Sequence, residues 1–505
     1  MKVEFEGRGI KLFRGSILRT FSAFLKILIG FFMLPFLVHN LGDSLYGLWI
    51  LVMSFMSYYT LLRMGFSNAV SRFLSQAVGR RSENDMSTIA STSFYIYLLI
   101  SVIMVIVTFI LFFFGAELFS NVKHYDAVLF RILILILGIN TALAPPMSVF
   151  GAVLVSHLKY TVGEIINIAH LVVLNGLLVL FVSLGKGLIY IALTYFICNA
   201  AKSIFIYFYI KKTHSEVEIK WSLFSKKKLK ELFTFSFFAF VAQLAETLRY
   251  KLDTIVLTIF IGLVAVTYYN IAASMVNYFS ILIIATIGVF GNYVSQEEGR
   301  GDFDSIREKF KFLTKVNIYI SIFFGCSMIF YGKAFIERWM GISYIESYPV
   351  LLILVISATI NLSQFVTISV LVGISKNKFI AYSNLAEGAA NLSLSLLLVR
   401  SYGLIGVALG TTIPMLVFNF FIQPWYINKV LGENILKYYF IMLRSFIFSG
   451  FILGSYFILI RKFIVPDYIR LIILFIIQFI LFLVFIYFLG FKKEERMKIR
   501  NLISV

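Results

Sequence analysis

Ser75-Gln76-Ala77-Val78-Gly79-Arg80 and Ser295-Gln296-Glu297-Glu298-Gly299-Arg300 are two forms of one polar phrase, Ser-Gln-x-x-Gly-Arg, set 220 positions apart in a very apolar chain. Working outward from it at the same offset and without a gap, Gly42, Ser54, Tyr58 and Leu62 recur as Gly262, Ser274, Tyr278 and Leu282. A second echo runs at an offset of 216. There Asn175 matches Asn391, and Gly187-Leu188-Ile189 with Ala192-Leu193 matches Gly403-Leu404-Ile405 with Ala408-Leu409. Repeated helical bundles that rock about a shared cleft are a common transporter design, so two related halves in an apolar chain point to a carrier.

The 505 residues are 60% hydrophobic and 14% charged, with a mean hydropathy of +0.91. Soluble domains carry about 25% charged residues, so this chain belongs in a bilayer. Fourteen apolar runs near the length needed to cross the hydrocarbon core follow one another from Ser16 to Gly490. The fold class they imply is an all-α polytopic membrane protein with about 14 transmembrane helices. A leading segment, 1–15, precedes an N-lobe of six spans over 16–210. A basic linker, 211–231, holding Lys226-Lys227-Lys228, leads to a six-span C-lobe over 232–427. Two unmatched helices over 438–490 and a basic tail, 491–505, finish the chain. An even number of spans in the first half makes the repeats parallel.

The formal net charge of +20 resembles a nucleic-acid signal until it is mapped. With both termini placed in the cytoplasm, the inward loops hold 29 Lys and Arg and the outward loops seven. That bias sets orientation by the positive-inside rule and adds affinity for anionic headgroups; no nucleic-acid partner is implied. The first fifteen residues mix acidic and basic side chains with no cleavage site after them, so the first run is expected to remain as a span. Cys198 and Cys326 lie in spans and offer neither a disulfide framework nor a metal spacing. His157 and His170 read as lone histidines. Asp302-Phe303-Asp304 matches a short metal-holding acidic pair of sugar-nucleotide transferases, but in a loop among Arg300, Arg307 and Lys309 it reads as solvated surface. No nucleotide loop, HExxH or nucleophile triad is found, so neither a catalytic residue, a metal site nor a cofactor is expected.

Charges inside spans are the informative class, since each costs about 2.5–3.5 kcal/mol on insertion scales and normally faces a bundle interior or a wet cavity. Glu246, Arg249, Lys251 and Asp253 fall near the middle of the seventh span. At about 100° per residue, Glu246, Arg249 and Asp253 share one face with Lys251 roughly opposite. Two readings fit that face: a self-neutralised triad against neighbouring helices, or a relay lining a cleft. Lys26 lies seven residues beyond Arg19 in the first span, and the 220 offset sets it opposite Glu246. A Lys26–Glu246 pairing that closes the cleft in one state is therefore expected, with single neutralisations harmful and a charge swap partly restorative. Arg19, Lys26, Arg63, Arg249 and Lys251 are candidate contacts for an anionic substrate, because a diphosphate enters a low-dielectric cleft only when its charge is compensated. Asn175 and Asn391 are candidates for sugar hydroxyls, or alternatively for interhelical bonds. Glu246, Asp253 and Glu387 are candidates for coupling a proton or sodium ion.

The run Leu41-Gly42-Asp43-Ser44-Leu45-Tyr46-Gly47-Leu48-Trp49, with Gly65, Arg72-Phe73 and Gly79, resembles the N-terminal signature of polysaccharide-unit flippases. These form the Wzx-like branch of the multidrug/oligosaccharidyl-lipid/polysaccharide exporter superfamily. Tyr269-Asn270-Ile271-Ala272-Ala273-Ser274 and Gly403-Leu404-Ile405-Gly406-Val407-Ala408 are similar to its later motifs. The resemblance implies a V-shaped pair of six-helix lobes in a cytoplasmic membrane. It also implies a polyprenyl-diphosphate-linked oligosaccharide turned to the outer leaflet for O-antigen-like surface polysaccharide, and coupling to an ion gradient. A polysaccharide polymerase and chain-length machinery would be partners. The family supplies no invariant catalytic motif, so the site residues above rest on their chemistry alone. A cation-coupled multidrug exporter of the same superfamily is the nearest alternative, and a membrane-embedded polymerase or glycosyltransferase the alternative from another class.

Overall fold

The computed structural model describes residues 2–63, 65–118, 124–287, 290–374 and 376–497, and no strand occurs among them. In lipid every backbone polar group must be satisfied within the segment, which helices do and isolated strands do not. The chain separates into two compact units, Met1–Thr247 with Leu257–Thr267, and Leu248–Val256 with Tyr268–Val505.

Helices α1 (Lys2–Leu41), α2 (Asp43–Leu62), α3 (Phe66–Gly79), α4 (Glu83–Phe114), α5 (His124–Ser156), α6 (Tyr160–Ser183) and α7 (Leu188–Thr213) build the first unit, joined by most of α8 (Lys226–Phe260). Its centre is a three-helix junction at small and hydroxylic residues. A Cβ on Gly138 of α5 would lie 2.5 Å from the side chain of Thr108 on α4, so only glycine allows that approach. The Thr108 hydroxyl in turn stands 2.7 Å from the Tyr59 hydroxyl of α2. Between α7 and α8 the chain runs as a strap along α4. Ser87 and Ser91, one helical turn apart, donate to the Glu216 and Glu218 carbonyls at 3.1 and 3.2 Å. The same two hydroxyls accept from the Glu218 and Lys220 amides, each at 3.1 Å, and the Ser225 amide donates to Thr92 at 3.0 Å.

Helices α9 (Leu263–Ile287), α10 (Phe290–Arg300), α11 (Phe303–Trp339), α12 (Ser347–Ser363), α13 (Phe365–Gly373), α14 (Asn377–Val417), α15 (Gln423–Leu431), α16 (Ile435–Ile460) and α17 (Tyr468–Phe485) follow, and all beyond Thr267 belong to the second unit. Phe310, Ile322 and Phe323 of α11 pack with Val366 and Val370 of α13, Met442 of α16 and Phe482 of α17 in its core. Phe451 and Leu459 of α16 and Ile469 of α17 face outward, as helix faces bathed in lipid do. Within α14 the backbone leaves helical geometry at Gly403 (φ 56, ψ −129) and doubles back. A Cβ on Gly406 would meet the Leu398 carbonyl at 2.3 Å, and one on Gly410 would meet the Ser395 hydroxyl at 2.3 Å. The same spacing at Gly450 and Gly454 brings nothing close.

Eleven helices among the described residues are long and apolar enough to span a membrane, fewer than the fourteen expected. One of them, Lys378–Leu431, contains the two limbs that meet at Gly403. The seventh and eighth expected spans correspond to α8, which carries the four charges, and to α9; neither is among the eleven. The repeat is visible in local geometry. Asp43 and Leu263 start α2 and α9 after Gly42 and Gly262, both at positive φ (80° and 122°). The Asp302-Phe303-Asp304 loop proves to be a helix start, with Asp302 capping α11.

Candidate functional site

Among the described residues, each unit holds a polar group within its apolar helices that contains charged side chains. In the second unit Asp253 of α8 is 6% exposed. Tyr269 of α9 donates its hydroxyl to Asp253 Oδ2 at 2.6 Å, and Thr411 of α14 donates to the same oxygen at 2.9 Å. Asn391 Nδ2 donates to Thr411 Oγ1 at 3.3 Å, and Ser395 donates to Asn391 Oδ1 at 3.1 Å. The series Ser395, Asn391, Thr411 thus leads to one carboxylate, with the Val407 carbonyl at 3.2 Å as a second acceptor for the Thr411 hydroxyl. Hydrogen bonds aligned in this way polarise one another and favour the ionised acceptor. Glu387, 2% exposed, lies one turn from Asn391 on the same limb of α14. Such a nest of carboxylate, hydroxyl and amide oxygens can hold a small hard cation or take a proton.

In the first unit Lys26 of α1 lies close enough to Lys202 of α7 for their like charges to repel, with Glu164 of α6 as a partly compensating anion. His170 of α6 lies beside Asn199 and within reach of both lysines. Arg63, at the end of α2, stands near Tyr97 instead. Tyr97 lines a cavity of about 110 Å³ with Ser67, Ser71 and Ser148. Arg19 is exposed on α1, and Asn175 of α6 bonds its own-helix carbonyl of Leu171 at 2.7 Å. The side chains of Glu246, Arg249 and Lys251 lie outside the described residues, so the expected Lys26–Glu246 pairing does too.

A model of the family described as "Polysaccharide biosynthesis protein" matches residues 12–290, more than half of the chain. This chain belongs to that family. Among curated relatives, an uncharacterized membrane protein of Methanocaldococcus jannaschii is 23% identical over 461 residues, covering 87% of this chain and 88% of the relative. A putative O-antigen transporter of Shigella flexneri is 21% identical over 432 residues, covering 83% and 98%. Among solved structures, the inward closed lipid II flippase MurJ superposes with a TM-score of 0.73 at 16% identity, over 96% of this chain and all of that one. An inward-facing MATE multidrug transporter superposes at 0.66 and 16% identity, over 81% and 95%. The fold is thus the one used by exporter-superfamily transporters, and the protein is a multi-pass membrane protein.

For this member of the polysaccharide biosynthesis family, the structure gathers Asp253 and Asn391 into one network and sets Lys26 within electrostatic reach of Lys202. It adds Tyr269, Thr411 and Ser395, which sequence reasoning did not nominate. Hydroxylic residues are common in membrane helices, so no composition signal marked them; Thr411 is one of a Thr-Thr pair just past the Gly403 motif. Lys202 lies inside the sixth expected span, where it was not singled out among the basic residues left in spans. His157 is corrected most: it is not alone but meets His214 and Glu216.

Proposed function

We propose that this chain turns polyprenyl-diphosphate-linked oligosaccharides from the cytoplasmic to the outer leaflet by alternating access, for surface polysaccharide synthesis. The observation that carries the reading is that Lys26 and Lys202, both within candidate spans, lie within electrostatic reach of each other. Two like-charged ammonium groups in a low-dielectric region are stabilised by an anion that reaches both, and a diphosphate supplies two or more negative charges. Family membership and the name of the Shigella relative support the same substrate class. The 29-to-7 distribution of basic residues supports a cytoplasmic membrane location with both termini inside. The Asp253 network serves as the coupling site for sodium or a proton, with Glu387 and Asn391 contributing oxygens. The paired lysines disfavour the cationic drugs of the multidrug branch.

The test is reconstitution into vesicles with a fluorescent lipid-linked oligosaccharide and measurement of leaflet exchange. Lys26→Ala and Lys202→Ala should each slow exchange at least about tenfold, the scale of losing one charge-assisted contact. Wild-type rates in both variants would remove this reading.

A further inference from the structure

We propose that His157, His214 and Glu216 form a binding site for a divalent transition-metal ion of the zinc type, which fastens the strap between α7 and α8 to the end of α5. His157 directly follows α5, His214 ends α7, and Glu216 begins the strap. One donor atom from each of the three lies within 4.8 Å of the others. His214 Nδ1 is 2.9 Å from Glu216 Oε1, and His157 Nε2 is 4.0 Å from the same oxygen. Donors around a tetrahedral zinc, with bonds of about 2.0–2.2 Å, stand roughly 3.3–3.5 Å apart. Small side-chain shifts therefore bring all three to coordination distance, and water completes the shell.

The surroundings orient the donors. His157 Nδ1 lies 2.9 Å from the Val153 carbonyl, which only accepts, so that nitrogen carries the proton and Nε2 presents its lone pair. A ligating histidine whose other nitrogen donates to a carbonyl is the usual arrangement at metal sites. Glu216 is held by its own backbone, whose carbonyl accepts from Ser87. The two rings stack with centroids 3.8 Å apart, tilted by 32°. His214 Nδ1, not its buried Nε2, is the ring nitrogen turned toward Glu216. When the metal takes Nδ1, that Nε2 carries the ring proton, so His214 coordinates as a neutral ligand and no net proton is lost. Imidazole with carboxylate oxygen suits zinc, cobalt and nickel rather than calcium or magnesium.

The experiment uses the full-length protein in detergent, with any affinity tag removed and metal stripped by chelator. Zinc is titrated against a chromophoric chelator, and cobalt is followed by its visible d–d absorption. One saturable site per chain is expected, with tetrahedral-type cobalt bands and a raised Tm. His157→Ala and His214→Ala should each weaken zinc at least about a hundredfold, and Glu216→Gln at least about tenfold. Glu216→Gln preserves shape, so it decides the matter should the histidine variants misfold. The proposal fails if no saturable binding occurs, or if the variants bind as the parent does, meaning an adventitious ion only. None of these readouts depends on the flippase reading.

Discussion

Tyr269 holds Asp253 by a 2.6 Å hydrogen bond that ties α9 to α8, sixteen residues apart in sequence. The helix break at Gly262 lets the two helices face each other at this level. A buried carboxylate is costly unless hydrogen bonds or a cation compensate it. Tyr269 and Thr411 supply two such bonds to one oxygen, leaving a cation or proton to complete the balance.

Asp253→Asn keeps the shape and removes the charge. In vesicles with an imposed sodium or proton gradient, it should abolish the gradient dependence of leaflet exchange while leaving the protein folded. Tyr269→Phe removes one charge-assisted bond, worth about 1.5–3 kcal/mol, and should weaken the coupling ion roughly tenfold or more. Gradient dependence unchanged in Asp253→Asn would exclude this network as the coupling site.

Gly47 belongs to the motif that suggested the family, and its role is steric. A Cβ there would lie 2.0 Å from the Leu263 carbonyl, a backbone atom that cannot swing away. Gly47→Ala should therefore destabilise by at least about 1–3 kcal/mol, read as a lower Tm in detergent. Gly450→Ala meets nothing within 4 Å and should leave Tm unchanged or slightly raised.

The repeat that sets Gly42 opposite Gly262 was legible in the sequence, whereas the caps that accompany it were not, Asp302 having read as loop. Ser82 and Asp302, 220 positions apart, both cap helices, accepting from the Asp85 and Ser305 amides at 3.3 and 2.9 Å. Helix starts are local events, so a repeat in sequence carries over into a repeat in geometry. The short helix α3 was not legible. Its buried Phe66, Val70, Leu74 and Ala77 follow a helical stripe, but the segment is too short and too polar to register as a span. The Asp253 network was half legible: the carboxylate stood out, whereas Tyr269 reaches it through the break at Gly262 and Thr411 meets Asn391 through the turn at Gly403. The His157 group joins residues 57 and 59 positions apart and depends on how the strap leaves α7, which no periodicity encodes.

Lys202 and Lys26 should behave as a pair. If both contact one diphosphate, the double variant Lys26→Ala/Lys202→Ala will be little worse than either single variant, since each single loss already disrupts the shared ligand. Independent roles would instead give additive losses in exchange rate. Glu164→Gln removes the nearby anion and should raise affinity for the diphosphate headgroup, measured by competition with soluble pyrophosphate.

The strap offers a test that does not involve transport. Ser87 and Ser91 each donate to one strap carbonyl and accept from one strap amide, so four of its backbone bonds depend on two hydroxyls. Both serines are buried, at 5% and 0% exposed, so water does not readily replace them. Net hydrogen bonds contribute about 0.5–1.5 kcal/mol each, so losing these four in Ser87→Ala/Ser91→Ala should release the strap by roughly 2–6 kcal/mol. Hydrogen exchange at the Glu218 and Lys220 amides should then quicken by about thirtyfold or more, while the amides of α4 itself stay protected. Equal protection in the double variant would mean that Trp221, stacked on Phe224 and edge-on to Tyr95, holds the strap without the serines.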